Sequence, residues 1–156
     1  NTNKVVVHMK NSLRIRKAVP EDATVLTKLT AQLGYPFTQQ EIVERLEPYR
    51  NISYGIVFVA VLNDTVVGWI SLNTVRYFYV RPFIEVSGFV VDEKERNKGV
   101  GRRLLEAAEV WVKRQGDYRL IRIRTNIIRE DAHRFYENNG YRKVKEQRVY
   151  MKEIED

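Results

Sequence analysis

The 156-residue sequence contains no cysteine, which excludes disulfide bonds, thiolate metal sites and a cysteine nucleophile within it. Histidine is also scarce: only His8 and His133 occur, and no carboxylate cluster has the spacing of metal ligands, so we expect no metal. No apolar run approaches the ~20 residues that span a bilayer, and no secretion signal opens the chain. We therefore expect a cytoplasmic protein that does not act on a membrane.

Charge of one sign is in excess, because 27 Lys and Arg residues outnumber 20 Asp and Glu residues and give a net charge of +7. Such an excess favours anionic partners. The basic residues are spread along the chain, and neither a helix-turn-helix nor an aromatic stacking pattern is present, so we expect no nucleic acid. We predict a polar extension at 1–11 and a single domain at 12–156.

Hydrophobic periodicity predicts the element order β-α-α-β-β-β-α-β-α-β. A Thr38 and Glu41 capping box predicts the start of the second helix, and Asn63-Asp64-Thr65 predicts a short turn between two strands. This order predicts an α/β fold with a mixed, mostly antiparallel sheet and one central β-α-β unit. The predicted strands lie at 12–18, 56–62, 66–79, 84–91, 120–125 and 141–151.

A glycine-containing loop follows the strand at 84–91 and opens a helix. A helix start presents unpaired N–H groups and positive dipole charge. Gly99 and Gly101 would let a phosphate approach the backbone. The spacing is neither a Walker loop nor a dinucleotide fingerprint, and alone it also fits a tight turn. Four cations surround the opening: Arg96, Lys98, Arg102 and Arg103.

Two segments carry a family resemblance. After a Val-Val-Asp triplet, Arg96, Gly99 and Gly101 resemble the R/Q-x-x-G-x-G/A acetyl-CoA signature of the GNAT N-acetyltransferase superfamily. Downstream, Tyr136 and Gly140 occupy a run similar to its second signature, A-x-x-x-Y-x-x-x-G-F/Y. The resemblance spans about 13–151, and the two motifs in order are more specific than either alone. It implies helices on both faces of a sheet whose strands part to hold acetyl-CoA.

The resemblance also implies how acetyl-CoA is bound. The main chain of one strand would pair with the pantetheine arm like an added strand, and the loop N–H groups would bind the pyrophosphate. Arg129 lies where relatives often have a cofactor-contacting asparagine, and Asn126 is the alternative for that contact. The cofactor residues expected by resemblance are Phe89, Val90, Val91, Arg96, Asn97, Lys98, Gly99, Val100, Gly101, Arg102 and Arg129.

Direct transfer to an amine requires a neutral nitrogen, whereas a lysine-like amine has a pKa near ~10.4, so a base must help. Glu85 precedes Gly99 by fourteen residues, a spacing similar to that of the catalytic glutamate in the family's histone-acetylating branch. Strand alternation predicts Glu85 on one face with Ser87, Phe89 and Val91. Many small-molecule members instead carry the carboxylate at the position of Ser87, so a water-relayed base or a merely exposed Glu85 stays open.

Tyr136 holds the family's tyrosine position, where a hydroxyl would donate to the departing sulfur. The alternative is an aromatic ring packed beside Phe135. His133 is interpreted as a polar residue near a helix start rather than as a base.

The resemblance thus predicts an enzyme that acetylates a primary amine, with a small-molecule acceptor. The aromatic stretch at 33–37 either walls the acceptor site, as that stretch does in relatives, or serves simple helix–helix packing. The alternatives are a protein or peptide acceptor, and a non-catalytic acyl-CoA-binding regulator. A homodimer is compatible with the sequence.

Overall fold

A computed structural model describes residues 12–116 and 119–156, so the predicted extension at 1–11 lies outside the described residues. Within the described part there are five strands and four α-helices. The strands are β1 (Leu13–Lys17), β2 (Gly55–Leu62), β3 (Thr65–Val75), β4 (Phe83–Val91) and β5 (Ile121–Ile123). The helices are α1 (Ala23–Gln32), α2 (Gln39–Leu46), α3 (Val100–Lys113) and α4 (Glu130–Asn138). The chain divides into a first unit that ends at Ile123 and a second unit, Arg124–Asp156.

The sheet of the first unit has the order β1-β2-β3-β4-β5. The first four strands are antiparallel neighbours, and β4 and β5 are parallel, with α3 between them in sequence. Leu26 and Leu29 of α1 pack with Val59 of β2 on one face. On the other face, Leu104 of α3 lies against Gly68 of β3. The predicted mixed sheet, its β-α-β unit and its helices on both faces are confirmed.

Local sequence signals define the start of α2 and the turn between β2 and β3. Thr38 is the N-cap of α2: its Oγ1 accepts from Glu41 N–H at 3.1 Å, and Glu41 Oε1 accepts from Thr38 N–H at 3.4 Å. Asn63 and Asp64 connect β2 to β3 with φ values of 48° and 64°. Two consecutive positive φ values are typical of a type I′ hairpin turn, for which Asn and Asp are suited. The capping box and the short turn are both confirmed.

Two predicted strands differ from the structure. β3 ends at Val75 rather than 79, and the following residues Tyr77, Phe78 and Tyr79 are exposed in a loop before Pro82. No strand is present at 141–151. In that segment four consecutive polar residues separate Val144 from Val149, so the alternation that would bury one face of a strand is lost. Both predictions were wrong because hydrophobic and aromatic residues form a strand only where a neighbouring strand is available for hydrogen bonding.

A buried ion pair fixes the start of α1. Asp22 is only 7% exposed, and both of its carboxylate oxygens accept from Arg16, each at 2.8 Å. Val19 N–H also donates to Asp22 at 2.9 Å. Burial by itself would raise the pKa of Asp22, but the hydrogen bonds from Arg16 and Val19 outweigh it and hold that pKa below its ordinary value.

Asp22→Asn is expected to lower the free energy of unfolding by about 2–3 kcal/mol at pH 7, because Arg16 then loses its buried carboxylate partner. A depressed folded-state pKa stabilises the fold above the unfolded value of ~3.9, and that contribution is lost as the pH falls through the folded-state pKa. The difference between the two proteins should therefore shrink below about pH 4. Urea unfolding at pH 7 and pH 3 measures it.

Asp64→Asn is the matched control, because the Asp64 side chain is 98% exposed and lies 3.9 Å from Arg14. It should change stability by less than about 0.5 kcal/mol at either pH. Equal effects of the two substitutions would contradict a structural role for the Asp22 pair.

Candidate active site

The loop between β4 and α3 forms an open cradle of backbone N–H groups. Gly99 is the N-cap of α3, with a left-handed φ of 80°, and the first helical bond runs from Arg103 N–H to Gly99 O at 3.1 Å. The N–H groups of Val100, Gly101 and Arg102 therefore precede the helical hydrogen-bond pattern. A Cβ built at Gly99 would meet no heavy atom within 4 Å. Because the Val100 side chain is buried, the helix start is anchored while its N–H groups remain at the opening.

Side-chain charge around this cradle is partly neutralised. Lys98 Nζ lies 2.6 Å from Glu95 Oε2, and Arg102 Nε lies 3.1 Å from Glu106 Oε1. These exposed pairs are weak and exchange readily. The backbone N–H groups and the dipole of α3 therefore offer an anion site that does not depend on these side-chain charges.

The parallel strands β4 and β5 pair over three residues and then separate. Their ladder pairs Ile84 with Ile121, Glu85 with Arg122 and Val86 with Ile123, and it ends there. β4 continues alongside β3 to Val91. The segment from Glu85 to Val91 spans roughly 20 Å at the usual rise of a strand. It leads from a carboxylate to the cradle, and it includes the predicted cofactor residues Phe89, Val90 and Val91.

Ser87 forms a β-bulge in this segment. β3 pairs Ser71 with Gly88 and Leu72 with Val86, so Ser87 is an additional residue without an opposite partner in the ladder. Gly88 follows, and a Cβ there would lie only 2.5 Å from the indole of Trp69. Only glycine therefore fits beneath the Trp69 ring.

The bulge changes which side chains of β4 share a face of the sheet. Glu85 lies opposite Asn73, and the Ser87 hydroxyl donates to Asn73 Oδ1, so Glu85 and Ser87 do share a face. Phe89 lies opposite Ile70, on the α3 side of the sheet, as does Val91. The prediction that Phe89 and Val91 share the face of Glu85 was wrong, because the additional residue reverses the alternation.

A chain of polar groups lies on the Glu85 face of the sheet. Tyr49 donates its hydroxyl hydrogen to Asn73 Oδ1 at 2.8 Å, and the hydroxyl groups of Ser71 and Ser87 are 2.8 Å apart. Burial raises the pKa of Tyr49 more than these polar neighbours lower it, so its phenol stays protonated at neutral pH. Sequence reasoning missed Asn73, because only the strand register brings it to Ser87, and missed Tyr49, because it lies 24 residues from Asn73 in the sequence.

Glu85 is buried in an ion pair with Arg122. Arg122 Nη2 lies 2.9 Å from Glu85 Oε2, and the two side chains are 24% and 8% exposed. Burial by itself would lower the pKa of Arg122, but Glu85 outweighs it and raises that pKa. The alternative interpretation of Glu85 as an exposed strand carboxylate was wrong. Arg122 was not predicted, since it lies 37 residues away in sequence and reaches Glu85 only through the parallel ladder.

In the second unit, Tyr136 belongs to α4 and its helix ends in a glycine cap. Gly140 has a φ of 88°, Tyr141 N–H donates to Tyr136 O at 3.0 Å, and Gly140 N–H donates to Glu137 O at 3.2 Å. This pattern is a Schellman motif, which explains the glycine of the second signature. Phe135 and Tyr141 make edge contacts with the Tyr136 ring.

The electrostatic setting of Tyr136 favours a protonated hydroxyl. Burial raises its pKa, and the nearby charge of Arg129 lowers it by less. Arg129 is the N-cap of α4, and its carbonyl accepts from His133 N–H at 3.2 Å. His133 Nε2 lies 3.0 Å from the carbonyl oxygen of Asn126, so His133 is engaged by the backbone at the helix start.

Comparison with known proteins identifies the family. A model of the Acetyltransferase (GNAT) family matches residues 24–141. The chain belongs to the GNAT family. It is similar to the aminoalkylphosphonate N-acetyltransferase of Salmonella typhimurium strain LT2, with 34% identity over an alignment of 135 residues that covers 82% of this chain and 84% of that protein. GNAT proteins transfer acetyl groups from acetyl-CoA, and this chain is an N-acetyltransferase of that family.

Solved GNAT structures share the fold. The aminoglycoside N-acetyltransferase AAC(6')-Iy in complex with CoA has a TM-score of 0.84 at 17% identity, covering 96% of this chain and all (100%) of that one. A GNAT acetyltransferase from Staphylococcus aureus has a TM-score of 0.70 at 22% identity, covering 92% of this chain and 99% of that one. At these identities the likeness concerns the fold alone.

The GNAT cofactor fits the first unit. Gly99 leaves open space at three N–H groups, as a pyrophosphate requires, and β4 offers main chain beyond its ladder with β5. The loop residues and Glu85 belong to the first unit, and Tyr136 and Arg129 belong to the second. Among residues 12–116 and 119–156, no group of three His, Asp or Glu side chains could hold a metal ion. In the same residues, no helix is long and apolar enough to cross a membrane.

Proposed function

We propose that this GNAT enzyme acetylates the primary amine of a small molecule, with short aminoalkylphosphonates as the first candidates. The observation that carries the proposal is the Glu85–Arg122 pair, which puts a carboxylate where β4 and β5 part. The 34% identical relative supports it, because that protein is an aminoalkylphosphonate N-acetyltransferase and the match spans most of its length.

The loop residues bind and orient the cofactor in this proposal. N–H groups of Val100, Gly101 and Arg102 bind the pyrophosphate, with Arg96, Asn97 and Lys98 around it. The main chain of 89–91 pairs with the pantetheine arm. Acetyl-CoA, when bound, supplies the acetyl group as an activated thioester.

The protein moves two protons during transfer. Glu85 takes the proton that the ammonium must lose before its nitrogen forms the new N–C bond, directly or through one water, since Glu85 is largely buried. The Tyr136 hydroxyl donates a proton to the sulfur as the C–S bond breaks, and the tyrosinate is reprotonated by the second proton that the nitrogen loses as it becomes an amide. A cytoplasmic location, a homodimer and a cofactor contact of Arg129 stay predictions.

An acceptor panel tests the function. Thiol release from acetyl-CoA should be fastest with 1-aminoethylphosphonate, with kcat/KM at least about 100-fold above that for lysine-containing peptides or peptide N-termini, since the 34% identical relative is an aminoalkylphosphonate N-acetyltransferase. Turnover with peptides alone would favour the protein acceptor. CoA binding measured by calorimetry without turnover of any amine would favour a binding-only role.

A further inference from the structure

Two arginine–carboxylate pairs in the first unit differ in how fully the hydrogen-bond donors of the arginine are satisfied. Arg16 uses two nitrogens to reach both oxygens of Asp22, a geometry that saturates the pair. Arg122 Nη2 lies 2.9 Å from Glu85 Oε2, and Arg122 Nε is buried without a hydrogen-bond partner among the described residues. A pair that served only stability would be expected to satisfy its buried donors. Arg122 therefore keeps a buried donor that its ion pair with Glu85 does not satisfy.

Aromatic rings hold the Arg122 guanidinium in place. Its Cζ lies 4.3 Å from the centre of the Phe83 ring, and Tyr77 makes an edge contact with Phe83 at 6.1 Å. Tyr77 also contributes to the raised pKa of Arg122. A stacked guanidinium loses little rotational freedom when it binds an anion, so this arrangement is preorganised.

The Glu85–Arg122 pair lies next to the point where β4 and β5 part, and Arg122 is the more exposed of the two residues. The Arg122 side chain keeps 24% of its surface exposed, three times the exposed fraction of Glu85 at 8%. The pair occupies the second-last rung of the parallel ladder, one residue before β4 and β5 part. A molecule that enters between the parting strands meets Arg122 beside the carboxylate.

We propose that Arg122 binds the acid group of a zwitterionic acceptor while Glu85 binds its ammonium, which makes Arg122 a specificity-determining residue. This inference rests on the proposed function. A guanidinium fork matches two oxygens of a phosphonate, and a carboxylate matches an ammonium. Because the two protein groups are 2.9 Å apart, an acid group one or two carbons from the amine fits both.

The charges of the site determine whether it favours acceptors with or without an acid group. A zwitterionic acceptor brings an ammonium and an anionic acid group to a site that already contains a carboxylate and a guanidinium, so each group meets a partner of opposite charge. An amine without an acid group brings a second cation next to the guanidinium. The site therefore selects against plain amines as well as for the acid.

The test compares 1-aminoethylphosphonate with its neutral dimethyl ester, which keeps the same carbon skeleton and amine. Arg122→Lys keeps the charge that compensates Glu85 but removes the fork. We expect kcat/KM for the acid to fall about 10- to 30-fold, mainly through KM, and kcat/KM for the ester to change less than about threefold. Calorimetric titration of the acid into the CoA complex should show the same loss of affinity.

Arg16→Lys is the matched control, because Arg16 is the other arginine in a buried pair. It should lower the melting temperature and leave the ratio of acid to ester unchanged. An equal loss for acid and ester in Arg122→Lys, or no loss at all, would overturn the inference. If the wild-type enzyme acetylates both compounds equally, the inference about acid recognition is wrong but the proposed function stands. If it acetylates neither compound, the proposed function is wrong.

Alanine is a further acceptor for this test, because its acid group is a carboxylate. Comparing it with 1-aminoethylphosphonate shows which of the two acid groups the site prefers.

Discussion

Gly99→Val is expected to lower the affinity for CoA at least about 100-fold while the protein stays folded. A Cβ at Gly99 meets no protein atom, so its methyl groups would occupy the open space in front of the α3 N–H groups. Loss of two hydrogen bonds to a charged phosphate corresponds to about 3 kcal/mol, or two decades in Kd. Strain at a left-handed position costs only about 1–2 kcal/mol. Calorimetric titration with CoA measures the affinity.

Gly116→Val is the matched control for this experiment. Gly116 lies just beyond the other end of α3, has a positive φ of 121°, and also has no heavy atom within 4 Å of a built Cβ. It should cause at least as much strain but no loss of CoA affinity. If both variants bind CoA like the wild type, the loop has only a structural role.

Tyr136→Phe is expected to lower kcat roughly 100-fold, the low end for general acid catalysis, with little change in KM for acetyl-CoA. The substitution removes one hydroxyl group and keeps the ring that packs against Phe135. Because the pKa of Tyr136 is raised above its ordinary ~10, this group should cause no decline in kcat between about pH 8 and pH 9. Steady-state kinetics across that range measure both effects.

Tyr141→Phe removes a second hydroxyl group from the same aromatic cluster, since the Tyr141 ring contacts Tyr136. It should leave kcat within about twofold of the wild type. A drop of about 1 kcal/mol in stability for Tyr136→Phe, without a drop in kcat, would indicate a hydroxyl that only satisfies the fold.

Local signals made much of the fold predictable. The Thr38 and Glu41 cap and the Asn63-Asp64 turn each depend on residues within four positions of one another. The strand predicted at 141–151 failed because a strand depends on a partner that a short window does not contain.

In the candidate site, too, features set by neighbouring residues could be predicted and features set by distant strands could not. The phosphate loop could be predicted because its glycines and the start of α3 are contiguous in sequence. The face of Phe89 could not, because the bulge at Ser87 is defined only against β3. Arg122 could not either, since its pairing with Glu85 requires the register of two parallel strands separated by a helix.

The placement of Trp69 over Gly88 gives the protein an intrinsic optical probe. The chain has two tryptophans, and the other, Trp111, is buried on α3. The indole of Trp69 covers the backbone next to the bulge, so its emission depends on the polarity and the quenching groups at the parting strands. Ligand entry along β4 can therefore be followed by fluorescence in the unlabelled protein.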